Sequence, residues 1–303
     1  MVQTGIEPSR LAGWGSSAQQ ATLASVVEQQ GVGLHSGITT TVTLHPAQVG
    51  QGRYFVRTDL PGQPVVPATL KAINPTMLST ELRQGDASVR TVEHLLAALT
   101  GLGIDNVRIE ITGTEVPLLD GSAAGWVQVI QQAGRQDQGV PRPVARLSRP
   151  VSVHHADAFV AAFPAPAPRL TYGIDFEVAA IGNQWFSWAA EADPFGPEGF
   201  ATAVAPARTF GLAHQVDQLR ASGLIQGGSL DNALVCGESG WLNPPLRFDN
   251  EPARHKLLDL IGDLSLLGHL PAAHIVAYKA SHRLHGELAA ALDSALVYGE
   301  GPL

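Results

Sequence analysis

The chain predicts an α+β architecture built twice in succession, and three observations predict it. Within each half, strand-like segments come first and helical segments last. A Pro- and Arg-rich junction, Gly139-Val140-Pro141-Arg142-Pro143, separates the halves. The 303 residues suffice for one large or two ordinary domains, each able to bury a core.

In order along the chain, residues 1–20 read as a frayed tail. They are rich in Gly, Ser, Ala and Gln, and lack the charged start and unbroken apolar stretch of a secretory signal. The first domain is placed at 21–140. Its strands are Thr39 to Leu44, Tyr54 to Thr58 and Val107 to Ile111, each alternating or β-branched. A helix over 91–101 follows from Val92, Leu95, Leu96 and Leu99, which share one face, with Thr91 as the expected N-cap. A second helix, over about 122–134, follows the turn and cap signal Asp120-Gly121-Ser122.

The second domain is placed at 144–303 and repeats the order. Strands are expected at Val151 to Val153, Phe159 to Phe163, Leu170 to Tyr172 and Ile275 to Tyr278, and helices near 253–267 and 284–297. Between Phe210 and Val235 lies extra material in which Leu212, Val216, Leu219, Leu224 and Ile225 precede Gly227-Gly228. It reads either as a satellite hydrophobic cluster or as a ligand channel. No sequence repeat is visible, so the duplication rests on element order.

Composition narrows the function. The chain is 45% apolar and 15% charged, and its apolar runs are broken well short of the roughly 18 residues that cross a membrane. A net charge of -8 and a pI near 5.7 argue against nucleic acid as a partner. The single cysteine, Cys236, cannot form an internal disulfide, so a cytosolic (cytoplasmic) enzyme is expected.

Chemistry concentrates in three places. In Arg254 to Asp263, His255, Asp259 and Asp263 recur every fourth residue; each step of four drifts about 40° around a helix, so they share a face. That face is either solvated or built to hold a metal, because buried carboxylates are costly unless paired or coordinated. Upstream, Glu93 and His94 open the first helix; a first-turn Glu complements the helix dipole, but this does not explain His94. Near the C-terminus His282 closes a strand-like run. Two histidines and an aspartate for a metal, a glutamate beside a ligand, and a spare histidine with a carboxylate partner form the inventory of a hydrolytic metal site.

Other readings fit less well. A structural zinc site normally closes with four protein ligands, often cysteines. The two-His, one-carboxylate triad of iron(II) oxygenases is usually spaced differently from the helical HxxxD found here. A non-catalytic binding protein would be marked by loss of Glu93 or His282, and both are present. His35, in a Gly-rich loop, is either a site residue or a turn residue satisfied by backbone. His154 and His155 are neighbours on a strand and face opposite ways. His269, His274 and His285 read as surface or packing residues, and Asp105 and Asp120 as turn and cap groups.

These residues together resemble the UDP-3-O-acyl-N-acetylglucosamine deacetylase family, the zinc amidases of lipid A biosynthesis. The resemblance begins at Gly31 to Gly37 and ends at His282. It includes Pro75 to Thr80, Thr91 to Leu95, Gly103 to Asn106, Pro117 to Ser122, Ala207 to Gly211 and Arg254 to Asp259. It implies two α+β domains of similar topology, each a mixed sheet with a two-helix layer, the helices packed between the two sheets. It implies Zn2+ held by His94, His255 and Asp259, with Glu93 as general base. His282, oriented by Asp263, would face the substrate carbonyl and leaving amine, and Thr209 would hydrogen-bond the developing oxyanion. Lys256 would contact an acylated UDP-sugar substrate. The insertion at about 210–235 would form an acyl-chain passage, contacted by Phe210, Val216, Ile225, Gly228 and Ser229. Every implied group lies in one chain, so a monomer would suffice. The sequence departs from the family pattern at Ser79, at Val178-Ala179, and at Arg283-Leu284-His285-Gly286, where a cysteine, a His-Pro pair and a pair of asparagines are common.

Overall fold

The computed structural model describes residues 19–75, 77–190, 193–243 and 245–299. Most of the expected tail, residues 1–18, lies outside the described residues. Its last two residues are not frayed: strand Gln19–Leu23 pairs antiparallel with Arg135–Pro141.

The first half holds a five-stranded sheet in the order Val27–Val32, Thr39–Pro46, Val107–Ile111, Arg53–Arg57, Val65–Pro67. The second half holds Val151–His155, Ala158–Pro164, Ala273–Tyr278, Arg169–Asp175 and Asn183–Ala189 in the corresponding order. In each sheet the last strand in sequence slots into the centre. It pairs parallel with the sheet's third strand in sequence and antiparallel with its second. Alternate burial along Val107–Ile111 and Ala273–Tyr278 gives each sheet one face on the core. Sheet topology therefore repeats where sequence does not.

In each half one helix precedes the central strand and one follows it. In the first half these are α1, Glu93–Gly101, and α2, Ala124–Ala133. The insertion contributes α3, Ala213–Ala221, and the second half closes with α4, Glu251–Leu264, and α5, His282–Asp293. Every residue of α1 from Glu93 to Leu99 is buried, as is nearly all of α4. A helix buried on all sides has to be enclosed. The two helices enclose each other, and the hydrophobic core runs continuously across both halves. Burying each of Leu95, Leu96 and Leu99 contributes about 1.5–3 kcal/mol. Gly262 sets how closely α1 and α4 approach: a Cβ there would lie 2.1 Å from the Glu93 carbonyl oxygen.

Three expectations require correction. Thr91 does not cap α1. It takes a positive φ of 57° and its hydroxyl donates to Glu115, while Val92 occupies the cap position without a side-chain bond. His282 does not close a strand. It opens α5 behind Ser281, whose hydroxyl accepts from the Leu284 amide. The last helix stops at Asp293 rather than 297, because Leu296–Gly299 is a strand paired with Val144–Leu147.

Both halves carry extra structure at the same topological point, between the fourth strand in sequence of the five-stranded sheet and the helix that precedes its central strand. In the first half it is a small sheet of Ile73–Asn74, Glu81–Gln84 and Ala87–Arg90. In the second it includes Phe210–Leu212, α3, Leu234–Gly237 and Gly240–Trp241.

Candidate active site at the helix crossing

The crossing of α1 and α4 brings together the residues singled out by spacing. His94 comes from the first turn of α1, and His255 and Asp259 from one face of α4; one ligand atom from each lies within 4.8 Å of the others. The His255 and His94 Nε2 atoms are 3.3 and 3.6 Å from Asp259 Oδ1, and the two rings stand perpendicular. His255 Nδ1 is 3.0 Å from the Ala207 carbonyl. A carbonyl can only accept, so this contact places the ring proton on Nδ1 and leaves the Nε2 lone pair facing the cluster. Burial lowers the His255 pKa to about 4, which keeps the ring neutral as a metal ligand must be. Asp259, despite burial, is held well below the usual carboxylate range, with the Lys256 ammonium on its Oδ2. Two imidazole nitrogens and a carboxylate oxygen, buried and convergent, fit a divalent metal ion.

Glu93 lies beside this cluster. It is buried rather than exposed in a first turn, and accepts the Thr80 amide at Oε2 (3.1 Å). Burial raises its pKa, an arrangement suited to a base that must also carry a proton. His282 Nε2 faces Glu93 Oε1 and Asp259 Oδ2 at 3.8 and 3.9 Å, while its Nδ1 is 2.8 Å from Asp263 Oδ2. Burial alone would lower the His282 pKa, but the charges of Asp263, Glu93 and Asp259 outweigh it and carry it to about 9. Asp263 is itself lowered to about 2; burial opposes this, and its two histidine partners prevail.

Of the remaining expected residues, Thr209 lies between Ala207, whose carbonyl meets His255, and Phe210, whose ring meets that of His255 edge-on. Its backbone is pinned at both ends, its amide donating to Gly121 and its carbonyl accepting from Leu234. Lys256 is half-buried, and its Nζ donates to Asp259 Oδ2 (2.6 Å). Val216 is half-buried on α3, a helix with no fully buried residue, and Ser229 is exposed in a turn with Asp231 and Asn232. Ile225 and Gly228 reach the first half: the Ile225 amide donates to His35 Nδ1, and Gly228 approaches Leu34. His35 is thus buried at a join between halves, with Glu115 accepting its backbone amide and that of Ser36.

Three participants were not legible as such. Thr80, inside a quoted motif, donates its hydroxyl to Asp263 Oδ1 (2.5 Å). His285, read as surface or packing, is fully buried with Nδ1 2.7 Å from Asp263 Oδ2. Tyr172 meets His285 Nε2 through its hydroxyl at 3.0 Å. The i, i+3 spacing of His282 and His285 on one helix was the available signal. Asp120 does serve Ser122 as expected, and Asp105 accepts the Ala21 amide and the Arg142 guanidinium.

Residues 20–294 match the family model described as UDP-3-O-acyl N-acetylglycosamine deacetylase. The chain is 59% identical over 273 residues to the UDP-3-O-acyl-N-acetylglucosamine deacetylase of Trichormus variabilis, covering 89% of this chain and 97% of that one. It is 60% identical over 273 residues to the protein of the same name from Thermosynechococcus vestitus, covering 90% and 93%. A probable mitochondrial UDP-3-O-acyl-N-acetylglucosamine deacetylase of Arabidopsis thaliana is 48% identical over 294 residues, covering 90% and 88%.

Proposed function

We infer the working of the site from one premise: the chain belongs to the UDP-3-O-acyl N-acetylglycosamine deacetylase family. It is a hydrolase that cleaves the acetamide of UDP-3-O-acyl-N-acetylglucosamine, releasing acetate and leaving a free amine on the sugar. The observation that carries the assignment of chemistry to residues is the convergence of His94, His255 and Asp259 beside Glu93 and His282.

In this reading His94, His255 and Asp259 hold a zinc ion. Zinc, when bound, supplies Lewis-acid polarisation and lowers the pKa of water from 15.7 to about 7. Glu93, its proton affinity raised by burial, takes the proton from the attacking water. His282, protonated at neutral pH, places Nε2–H toward the reacting carbonyl, stabilises the charge developing on oxygen and gives its proton to the departing nitrogen. Asp263 holds that ring by Nδ1, and Thr80 holds Asp263. The C–N bond breaks as the nitrogen gains this proton, and water supplies the oxygen of acetate.

Thr209 is assigned to the oxyanion and Lys256 to the substrate, its ammonium leaving Asp259 Oδ2 or bridging from it. Phe210, Val216, Ile225, Gly228 and Ser229 are assigned to the acyl chain. Domains at 21–140 and 144–303, a monomer and a cytosolic setting complete the reading. No described helix is long and apolar enough to cross a membrane. Acetate release from the acylated UDP-sugar, measured with metal content, tests the reading. His255→Ala should lose both metal and activity; a variant that kept stoichiometric metal and full turnover would overturn the ligand assignment.

A further inference from the structure

Asp263 carries more than the single histidine partner that the reaction uses. Its Oδ2 is 2.8 Å from His282 Nδ1 and 2.7 Å from His285 Nδ1, and its Oδ1 accepts the Thr80 hydroxyl. Both imidazoles come from α5, one turn apart, and stand at a steep angle to each other. The chain of contacts does not end there. His285 Nε2 lies 3.0 Å from the Tyr172 hydroxyl, which also lies 2.8 Å from the Ala280 carbonyl. Ala280 sits two residues before His282, so the contacts run from His282 through Asp263, His285 and Tyr172 back to the backbone that introduces His282. Tyr172 and His285 are completely buried.

An ionised carboxylate only accepts, so His285 Nδ1 must carry the hydrogen that faces Asp263. Nε2 of a neutral ring is then an acceptor, and it shares the single Tyr172 hydroxyl proton with the competing Ala280 carbonyl. Burial keeps the His285 pKa below the ordinary histidine value, consistent with a neutral ring. Thr80 holds Oδ1 and His282 meets Oδ2, and His285 adds a third bond, on the same oxygen that orients His282. This second N–H on Oδ2 tightens the orientation that the other two bonds set.

We propose that His285 is a positioning residue for deacetylation: its Nδ1–H bond fixes the Asp263 carboxylate, the carboxylate fixes the ring of His282, and Tyr172 anchors the far end. The inference rests on the proposed roles of Glu93, His282 and Asp263. The Nδ2 of asparagine sits as many bonds from Cα as the Nδ1 of histidine, so His285→Asn preserves the donor to Asp263 while giving up Tyr172. His285→Leu fills similar space without a donor.

The test compares the metal-loaded His285→Asn, His285→Leu and Tyr172→Phe proteins in acetate release from the acylated UDP-sugar, with metal content and melting temperature measured on the same samples. The expected result is that His285→Leu loses about tenfold or more in kcat with KM and metal content unchanged. His285→Asn should recover most of that loss, and Tyr172→Phe should fall between. Equal loss in the Asn and Leu variants, or full kcat in the Leu variant, would overturn the proposal. If His285→Leu does not fold, loss of kcat in Tyr172→Phe at unchanged KM supports the proposal, and unchanged kcat overturns it. Glu93→Gln, assayed alongside, separates the two levels. If it is inactive while His285→Leu is fully active, only the positioning role fails; if it is fully active, the site reading fails and takes this inference with it.

Discussion

Glu93 and His282 face each other across the space beside the ligand cluster, and their pKa values are both raised for different reasons. For Glu93 the cause is burial; for His282 it is three nearby carboxylates that outweigh burial. Glu93→Gln should therefore keep the metal and lose about 10²- to 10⁴-fold in kcat, measured by acetate release on protein of known metal content. The rate of the unaltered enzyme should decline with pH near 9, where His282 gives up its proton, and this basic limb should vanish in His282→Ala. The sign for stability is the same. A folded-state pKa of about 9 against an ordinary 6.5 gives stabilisation that is complete below 6.5 and is lost as pH rises through 9. At this scale the sequence was informative where spacing on a helix fixes direction, as for His255, Asp259 and Asp263. It was uninformative where a partner comes from a distant strand: nothing local to Thr80, Tyr172 or the Ala207 carbonyl indicates that it meets Asp263, His285 or His255.

Helix α1 was readable from its leucines, but its capping was not, because Thr91 is drawn away by Glu115, a residue 24 positions on. The end of α5 was misplaced for a related reason: local propensity could not reveal the strand partner at Val144–Leu147 that claims Leu296–Gly299. The contact of α1 with α4, by contrast, has a sequence correlate in Gly262, a helix-interior glycine that would otherwise cost about 1 kcal/mol relative to alanine. Gly262→Ala should push the helices apart, lowering both the melting temperature and metal affinity; unchanged values of both would show that the crossing can relax. For the insertion, Ile225→Ala or Val216→Trp should change the preference among substrates of different acyl length while metal content stays intact. Each buried methylene is worth up to about 0.8 kcal/mol, so a shift of one methylene in preferred length is within reach of a competition assay. Equal loss on every chain length with a lowered melting temperature would make these residues packing groups.

Across the whole molecule, the two halves are joined at the helix crossing and also at Asp105, which accepts from Ala21 and Arg142 and lies 3.4 Å from His269 Nδ1. Burial would raise the Asp105 pKa, but His269 and Arg142 lower it to about 2 from 3.8. The stabilisation this represents, on the order of 2 kcal/mol, is present above pH 3.8 and is lost as pH falls through 2. Asp105→Ala should lower the melting temperature by several degrees at neutral pH, with a difference that shrinks in acid; a constant difference down to pH 2 would argue against the ionic origin. The two-sheet plan was legible from element order, yet the central placement of each five-stranded sheet's last strand was not, since register and neighbours are set by non-local pairing.

That plan places both extra segments at the same step of the chain path, after each five-stranded sheet's fourth strand in sequence and before the helix that carries His94 or His255. Neither segment contributes a strand to a five-stranded sheet. Each half thus behaves like a socket of fixed wiring into which a cartridge is plugged. The outer part of the second half's cartridge, α3 and the turns after it, can change in length without rewiring either sheet, while Ala207 to Phe210, which meet His255, have to stay in place.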